Sequence, residues 1–147
     1  MIIVTGGSGQ AGKACVRDLV EHGYDVTSVD LAPFRADDGG IVCDARFPSF
    51  QDDAAKRKWN LWGYIDARDA AQAFRLTLES SLKGAAIFVI ANADTVMNRP
   101  NEELLSEHYA SVPRKRAFSP NETLLSIEKA RNVLGYEPRY GWQTSNK

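Results

Sequence analysis

The sequence predicts an α/β protein that opens with a strand–helix–strand unit. Three observations predict it. Residues 2–5 form an apolar run closed by glycines, a helical pattern spans 10–22, and a stretch rich in β-branched residues follows at 24–31. A third short strand is expected at 41–43, ending at Asp44. Strands and helices in this order are typical of the start of a doubly wound fold with a parallel sheet.

The first helix has apolar residues at spacings of three and four, and Gly23 is expected to end it. These apolar residues are Ala11, Ala14, Cys15, Leu19 and Val20. After the third strand the residue pattern changes: residues 45–64 are aromatic and charged and show no clear alternation of polar and apolar residues. We place a domain boundary there, with a dinucleotide-binding unit at 1–45 and a second segment at 46–147.

The second segment is predicted to be mainly helical. A helix is expected at 66–82 before Gly84, a strand at 85–93, and a helix from Pro100 to about Tyr109. The apolar face of the helix at 66–82 is expected to consist of Ala67, Ala70, Ala71, Phe74 and Leu78. A last helix should present Ile127, Ala130 and Leu134 on one side and end at Gly135.

The bulk composition excludes several classes of protein. The 147 residues suit one domain of ordinary size, and a net charge of −1 gives no general attraction to nucleic acid or membranes. No apolar run approaches the roughly 20 residues of a spanning helix. Cys15 and Cys43 are expected to be inert thiols, and no metal site is expected. Because Met1 directly precedes a strand, we expect no signal peptide and a cytoplasmic location.

The glycine-rich loop after the first strand fits two phosphate-binding signatures. Gly7, Gly9 and Gly12 give G-x-G-x-x-G, whereas Gly7, Gly12 and Lys13 give the G-x-x-x-x-G-K of a triphosphate loop. Ala14 stands where a triphosphate loop needs a hydroxyl group to bind magnesium. The triphosphate-loop interpretation is therefore disfavoured, and so is a nucleotide hydrolase. The dinucleotide reading is therefore preferred, and the alternative is that the glycines only form a tight turn.

The candidate cofactor site combines this loop with an acid. The unpaired amides near Gln10 and Ala11 can bind a diphosphate at the positive end of the helix. Asp30 follows Gly12 by 18 residues, close to the roughly 20 expected for the acid that binds the ribose hydroxyls. Its carboxylate would repel a 2′-phosphate, so NAD is favoured over NADP, although Arg35 is close in sequence. Evenly spaced Gly6, Gly9 and Gly12 complete the loop.

Several motifs resemble the extended short-chain dehydrogenase/reductases, the NAD-dependent epimerase/dehydratase family. "VTGGSGQAG" resembles the family's T-G-x-x-G-x-x-G fingerprint, and "LWGYIDARDAAQAFRLTLE" resembles its "YIDVRDVAxAxxLALE" stretch. "DTVMNRPNEELL" and "SIEKARNVLGYEPRYGW" resemble the segments that follow. The resemblance implies a truncated Rossmann-like sheet with a C-terminal substrate-side segment, and it implies a role near the adenine for Asp44.

The same resemblance implies that the middle of the family's chain is missing, with a junction near 43–47. The family's catalytic Tyr-x-x-x-Lys pair is absent, because no tyrosine here has a lysine four residues later. Tyr64 with Arg68 is the nearest imitation, but both belong to "GYIDARD", where Asp66 is expected to cap a helix. We therefore predict no catalytic residue.

Other candidate sites have weaker support. His22 and His108 lie far apart, and Ser8 and Ser126 have no histidine at a recognisable spacing for a hydrolase triad. The basic stretch 56–59, with its tryptophan, is expected to be core packing beside a solvated face.

The function implied by the resemblance is oxidation, reduction or epimerisation of sugar-nucleotide-like substrates with NAD. The missing pair makes catalysis doubtful here, so a partial NAD site is expected. The alternative is a non-enzymatic interaction module with a vestigial loop. Strand 1 would lack a neighbour on its outer edge, so either 85–93 or a second copy of the chain should cover it, or stability should be marginal. A homo-oligomer is therefore a candidate partner, besides the dinucleotide.

Overall fold

A computed structural model of the chain describes residues 1–33 and 51–143, and it confirms the α/β class. Strands β1 (Ile2–Thr5) and β2 (Val26–Val29) are parallel, with Ile2 opposite Val26 and Thr5 opposite Val29. Helix α1 (Gln10–Glu21) connects them. The strand–helix–strand unit is thus present, and the predicted third strand at 41–43 lies outside the described residues.

Helix α1 ends where Gly23 was expected to end it. Gly23 has φ +82°, a conformation that favours glycine, and its amide donates to the carbonyl of Val20 at 3.0 Å. The amide of Tyr24 then donates to the carbonyl of Leu19 at 3.0 Å. This turn reverses the chain direction after α1, and β2 begins two residues later.

The second segment contributes four further α-helices that lie wholly within the described ranges. They are α2 (Ala54–Arg57), which continues into a 3-10 turn (Lys58–Asn60), α3 (Ala67–Glu79), α4 (Asn101–His108) and α5 (Glu128–Leu134). Asp66 caps α3 as predicted, because its carboxylate accepts a 2.9 Å hydrogen bond from the amide of Arg68. The helix ends at Glu79, three residues earlier than expected.

The last helix also follows its prediction. Ile127, Ala130 and Leu134 are all buried, and Gly135 ends the helix in the left-handed conformation with φ +69°. Ile127 and Ala130 belong to a small core with Ala73, Ala91 and Tyr136. A separate core surrounds Trp62, which donates from Nε1 to the Ala54 carbonyl at 2.9 Å.

The predicted apolar face of α3 is partly wrong. Phe74 and Leu78 are 59% and 55% exposed, whereas Asp69, Ala71 and Ala73 are buried. The helix packs mainly on α1 and also contacts α5, and small side chains allow these neighbours to approach closely. The side that carries Phe74 and Leu78 is left exposed by the described part of the chain.

The strand predicted at 85–93 does not form. Burial nevertheless alternates along the stretch, since Phe88 and Ile90 pack on the core that contains Ile127 and Ala130, while Ile87 and Val89 remain 85% and 45% exposed. A strand also needs a continuous ladder with a neighbour. Here Asn92 and Ala93 make only single backbone hydrogen bonds, from the Asn92 amide to Tyr64 and from Thr123 to the Ala93 carbonyl, at 2.8 Å each.

The outer edge of β1 therefore has no strand partner among the described residues. Ile2 and Gly6 donate backbone hydrogen bonds to the β2 side at 2.7 and 2.9 Å. Because residues alternate along a parallel ladder, Ile3 and Thr5 direct their backbone groups to the opposite edge. Ile3 is also 57% exposed. The expectation that 85–93 covers this edge is wrong, and coverage by a second copy remains a prediction.

We predict that the chain self-associates through β1, because an open apolar strand edge is a template for pairing with another strand. Analytical ultracentrifugation should show concentration-dependent association. Ile3→Lys should shift the chain to monomer by placing a charge at the edge. Val112→Lys is the matched control, because Val112 is 55% exposed and distant in sequence from β1. A wild-type chain that is monomeric at all concentrations and stably folded would contradict the prediction.

Candidate functional site

The turn between β1 and α1 is built by glycines that the backbone requires. Gly6 has φ +70°, and its carbonyl accepts a 3.1 Å hydrogen bond from the amide of Gly9. A Cβ on Gly12 would overlap the Gly6 carbonyl oxygen, and one on Gly7 would overlap the hydroxyl of Ser28. The first turn of α1 thus packs directly on the loop, and β2 packs directly beside it.

Gly9 differs from these glycines. A Cβ there would make only an ordinary 3.4 Å contact with the Gly6 carbonyl, and the residue is exposed with an extended backbone at φ −73° and ψ 166°. Nothing in the described fold requires glycine at this position. The open space beside its backbone lies immediately before the helix.

Helix α1 begins without a cap. Its first intrahelical hydrogen bond runs from the Lys13 amide to the Gly9 carbonyl at 2.8 Å. The amides of Gln10, Ala11 and Gly12 precede that bond, no side chain caps them, and no acidic residue lies in the first turn. Within the described residues these three N–H groups have no acceptor, so the positive end of the helix is not compensated.

Asp30 lies beside the loop, one residue after β2. Its carboxylate accepts a 2.8 Å hydrogen bond from the Ser8 amide and one of 3.2 Å from the Ala32 amide. The Ser8 hydroxyl donates to the Ala32 carbonyl at 2.8 Å, which ties the two segments together again. The Ser8 and Ala32 amides lower the pKa of Asp30, so the carboxylate is ionised at neutral pH.

The fold brings six of the seven predicted site residues to one end of the strand–helix–strand unit. The loop and helix start supply five, and the position directly after β2 supplies the acid: Gly6, Gly9, Gln10, Ala11, Gly12 and Asp30. Asp44 lies outside the described residues. The contribution of Ser8, whose amide and hydroxyl tie the loop to Asp30 and Ala32, was missed, because sequence gives no signal for a contact across 22 residues.

Tyr64 and Arg68 do not act as a pair. The Tyr64 hydroxyl donates to Asp94 at 2.6 Å and accepts from the Trp142 amide at 3.1 Å. The Arg68 guanidinium instead binds both carboxylate oxygens of Asp66, at 2.8 and 2.9 Å. Each side chain is held by its own structural partners.

Asp69 has a structural role that sequence reasoning missed. Its buried carboxylate accepts hydrogen bonds from the amides of Arg139 and Tyr140, at 2.9 and 3.0 Å. Asn92 adds a 3.0 Å bond to the Tyr140 carbonyl. Burial raises the pKa of Asp69, and the two amides oppose that shift. These bonds fix the C-terminal stretch against α3.

Comparisons with known proteins identify no relative: no family model, curated protein or solved structure matches the chain.

Across 1–33 and 51–143, none of the helices has the length and apolar character needed to cross a bilayer. Burial raises the pKa of the half-buried Cys15 thiol, which keeps it protonated.

We predict that Gly12→Ala destabilises the fold, while Gly9→Ala leaves its stability nearly unchanged. The added methyl group overlaps the Gly6 carbonyl at position 12 but meets only an ordinary contact at position 9. Overpacking of this kind costs about 1–3 kcal/mol of unfolding free energy. Urea unfolding of the two variants measures the difference, and equal losses of stability would contradict the geometry of the loop.

Asp69→Asn should lower the unfolding free energy by about 1–3 kcal/mol. The asparagine side chain can accept hydrogen bonds only through its single oxygen, so one of the two backbone N–H groups that Asp69 binds is left buried and unsatisfied. Thermal unfolding followed by circular dichroism measures the loss. Asp25→Asn serves as the control, since the Asp25 side chain is 81% exposed. If the two variants unfold at the same temperature, Asp69 does not hold the C-terminal stretch.

Proposed function

We propose that this chain binds the adenosine diphosphate part of NAD at the β1–α1 loop. The single observation that carries the proposal is the ionised Asp30 carboxylate, hydrogen-bonded to the Ser8 amide of the glycine loop. It lies next to a helix start whose amides have no acceptor within the described residues. A loop suited to an anion and an acid suited to hydroxyl groups thus lie side by side.

The loop fits a diphosphate on three grounds. The amides of Gln10, Ala11 and Gly12 are donors in need of acceptors, and the uncompensated positive end of α1 favours negative charge. The lack of a side chain on Gly9 lets a phosphate approach the backbone there. The fold itself does not need glycine at position 9. Close approach of a ligand to the backbone would explain why a glycine stands there.

Asp30 fits the ribose hydroxyls. Each of its oxygens already accepts one amide hydrogen bond and keeps a lone pair for a hydroxyl donor. Because its pKa is lowered, the carboxylate is charged and would repel the additional phosphate of NADP. The site therefore favours NAD.

The reaction class rests on the resemblance to the epimerase/dehydratase family. Bound NAD would supply a hydride acceptor, but a reaction of that family also needs a tyrosine with a nearby cation to move a proton. Tyr64 is hydrogen-bonded to Asp94, and Arg68 is paired with Asp66. We therefore propose cofactor binding without efficient turnover, on a truncated Rossmann-like unit followed by a substrate-side segment.

The alternative is an interaction module with a vestigial loop. The outer edge of β1, which no strand of the described residues covers, and the exposure of Ile3 and Val29, at 57% and 51%, favour it. A chain that self-associates stably and does not bind NAD would support this alternative.

Isothermal titration with NAD tests the proposal. Binding should be weak but saturable, and Asp30→Ala should weaken it about tenfold by removing the hydroxyl acceptor. Asp25→Ala is the matched control, because Asp25 precedes β2 at the end opposite Asp30. NADP should bind the wild-type chain less tightly than NAD. The proposal fails if millimolar NAD gives no heat, or if both variants lose affinity equally.

A further inference from the structure

A polar cavity lies along α1, after the glycine loop. Its volume is about 380 Å³, and three separate segments form its walls: residues of α1 and its C-terminal end between 14 and 22, residues of α3 between 68 and 75, and the stretch at 139–140. This volume falls within the roughly 300–1,000 Å³ of small-molecule sites. Four arginines line it, namely Arg17, Arg68, Arg75 and Arg139.

Two of these guanidinium groups are held in fixed orientations. Arg68 is bound through Nε and Nη2 by Asp66, which is only 2% exposed, and its guanidinium lies 3.7 Å above the centre of the Tyr140 ring. Arg75 donates from Nε to Asp18 at 2.8 Å and from Nη1 to Glu79 at 3.0 Å. Its side chain is only 14% exposed. The orientation of both groups is therefore set before any ligand arrives.

The same pairing leaves specific donors over. Nη1 of Arg68 and Nη2 of Arg75 make no hydrogen bond to the described residues. The side chain of Arg139 makes none either, since only its backbone amide is used, by Asp69. Guanidinium donors from three positions around one cavity match the oxygens of a phosphate group.

The cavity also has acceptors. The carboxylates of Asp18 and Glu21 line it, and that of Asp18 is engaged by Arg75. A carboxylate disfavours a bare anion nearby but accepts hydrogen bonds from hydroxyl groups. A ligand that carries a phosphate at one end and hydroxyls at the other satisfies both kinds of wall.

We propose that this cavity binds a small hydroxylated phosphate monoester, with its phosphate on Arg68, Arg75 and Arg139 and its hydroxyls towards Glu21. The site is separate from the proposed NAD site. The cavity is lined by α1 only from Ala14 onwards, and none of the residues of the proposed NAD site lines it. The two sites can be tested independently.

Titration of the ¹⁵N-labelled chain with glycerol 3-phosphate, followed by NMR at constant ionic strength, tests the proposal. Saturable shifts are expected at residues lining the cavity, with inorganic phosphate binding at least about threefold more weakly and glycerol alone giving none. Arg139→Gln should weaken binding at least about fivefold. Because the Arg139 side chain is exposed, the substitution should leave the fold intact. Arg131→Gln on α5 is the matched control.

Three results would overturn the proposal. These are the absence of saturable shifts at the cavity, an equal loss of affinity in both arginine variants, and equal affinity for inorganic phosphate and glycerol 3-phosphate. The last would remove the role given to the hydroxyl-accepting wall. NAD binding at the glycine loop does not enter any of these outcomes.

Discussion

The close approach of Gly12 to the Gly6 carbonyl is the constraint on which the first half of the fold depends. Because no side chain separates them, α1 starts directly against the turn that follows β1. Its first amides therefore emerge at the same end of the sheet as the last residue of β2. The Ser8–Asp30 hydrogen bond then joins the loop to that strand. Backbone packing at Gly12 and the side-chain hydrogen bond of Asp30 together make the donor-rich helix start and the acid neighbours.

The second half of the fold is attached to the first through helix α1. Arg75 of α3 binds Asp18 of α1, and Glu79 of α3 accepts from the hydroxyl of Tyr24, just after α1. On its other side α3 holds the C-terminal stretch through buried Asp69. Helix α3 is thus the element that unites the chain. Its ion pairs also orient guanidinium groups that line the polar cavity. The same contacts therefore stabilise the packing of α3 and shape a polar site.

Local patterns predicted the elements whose signals lie within a few residues, such as the glycine that ends α1, the Asp66 cap of α3 and the buried face of α5. They failed where the outcome depends on a distant neighbour. Residues 85–93 alternate as a strand does, but alternation cannot supply the partner that a ladder needs. Periodicity likewise placed Phe74 and Leu78 on one face of α3 without showing whether anything would cover that face. That the glycine loop, the start of α1 and Asp30 lie close together was predictable, because they follow one another within 30 residues; that they form a cofactor site stays a prediction.

Binding of a dinucleotide at the uncapped start of α1 can be observed residue by residue when the ¹⁵N-labelled chain is titrated with NAD and followed by NMR. We expect saturable shifts in the amides of Ser8, Gln10, Ala11 and Gly12, because those groups would donate to the diphosphate or lie beside the ribose. Amides on α4 and α5 should stay unchanged. Shifts that spare the glycine loop, or no shifts at millimolar NAD, would contradict the account.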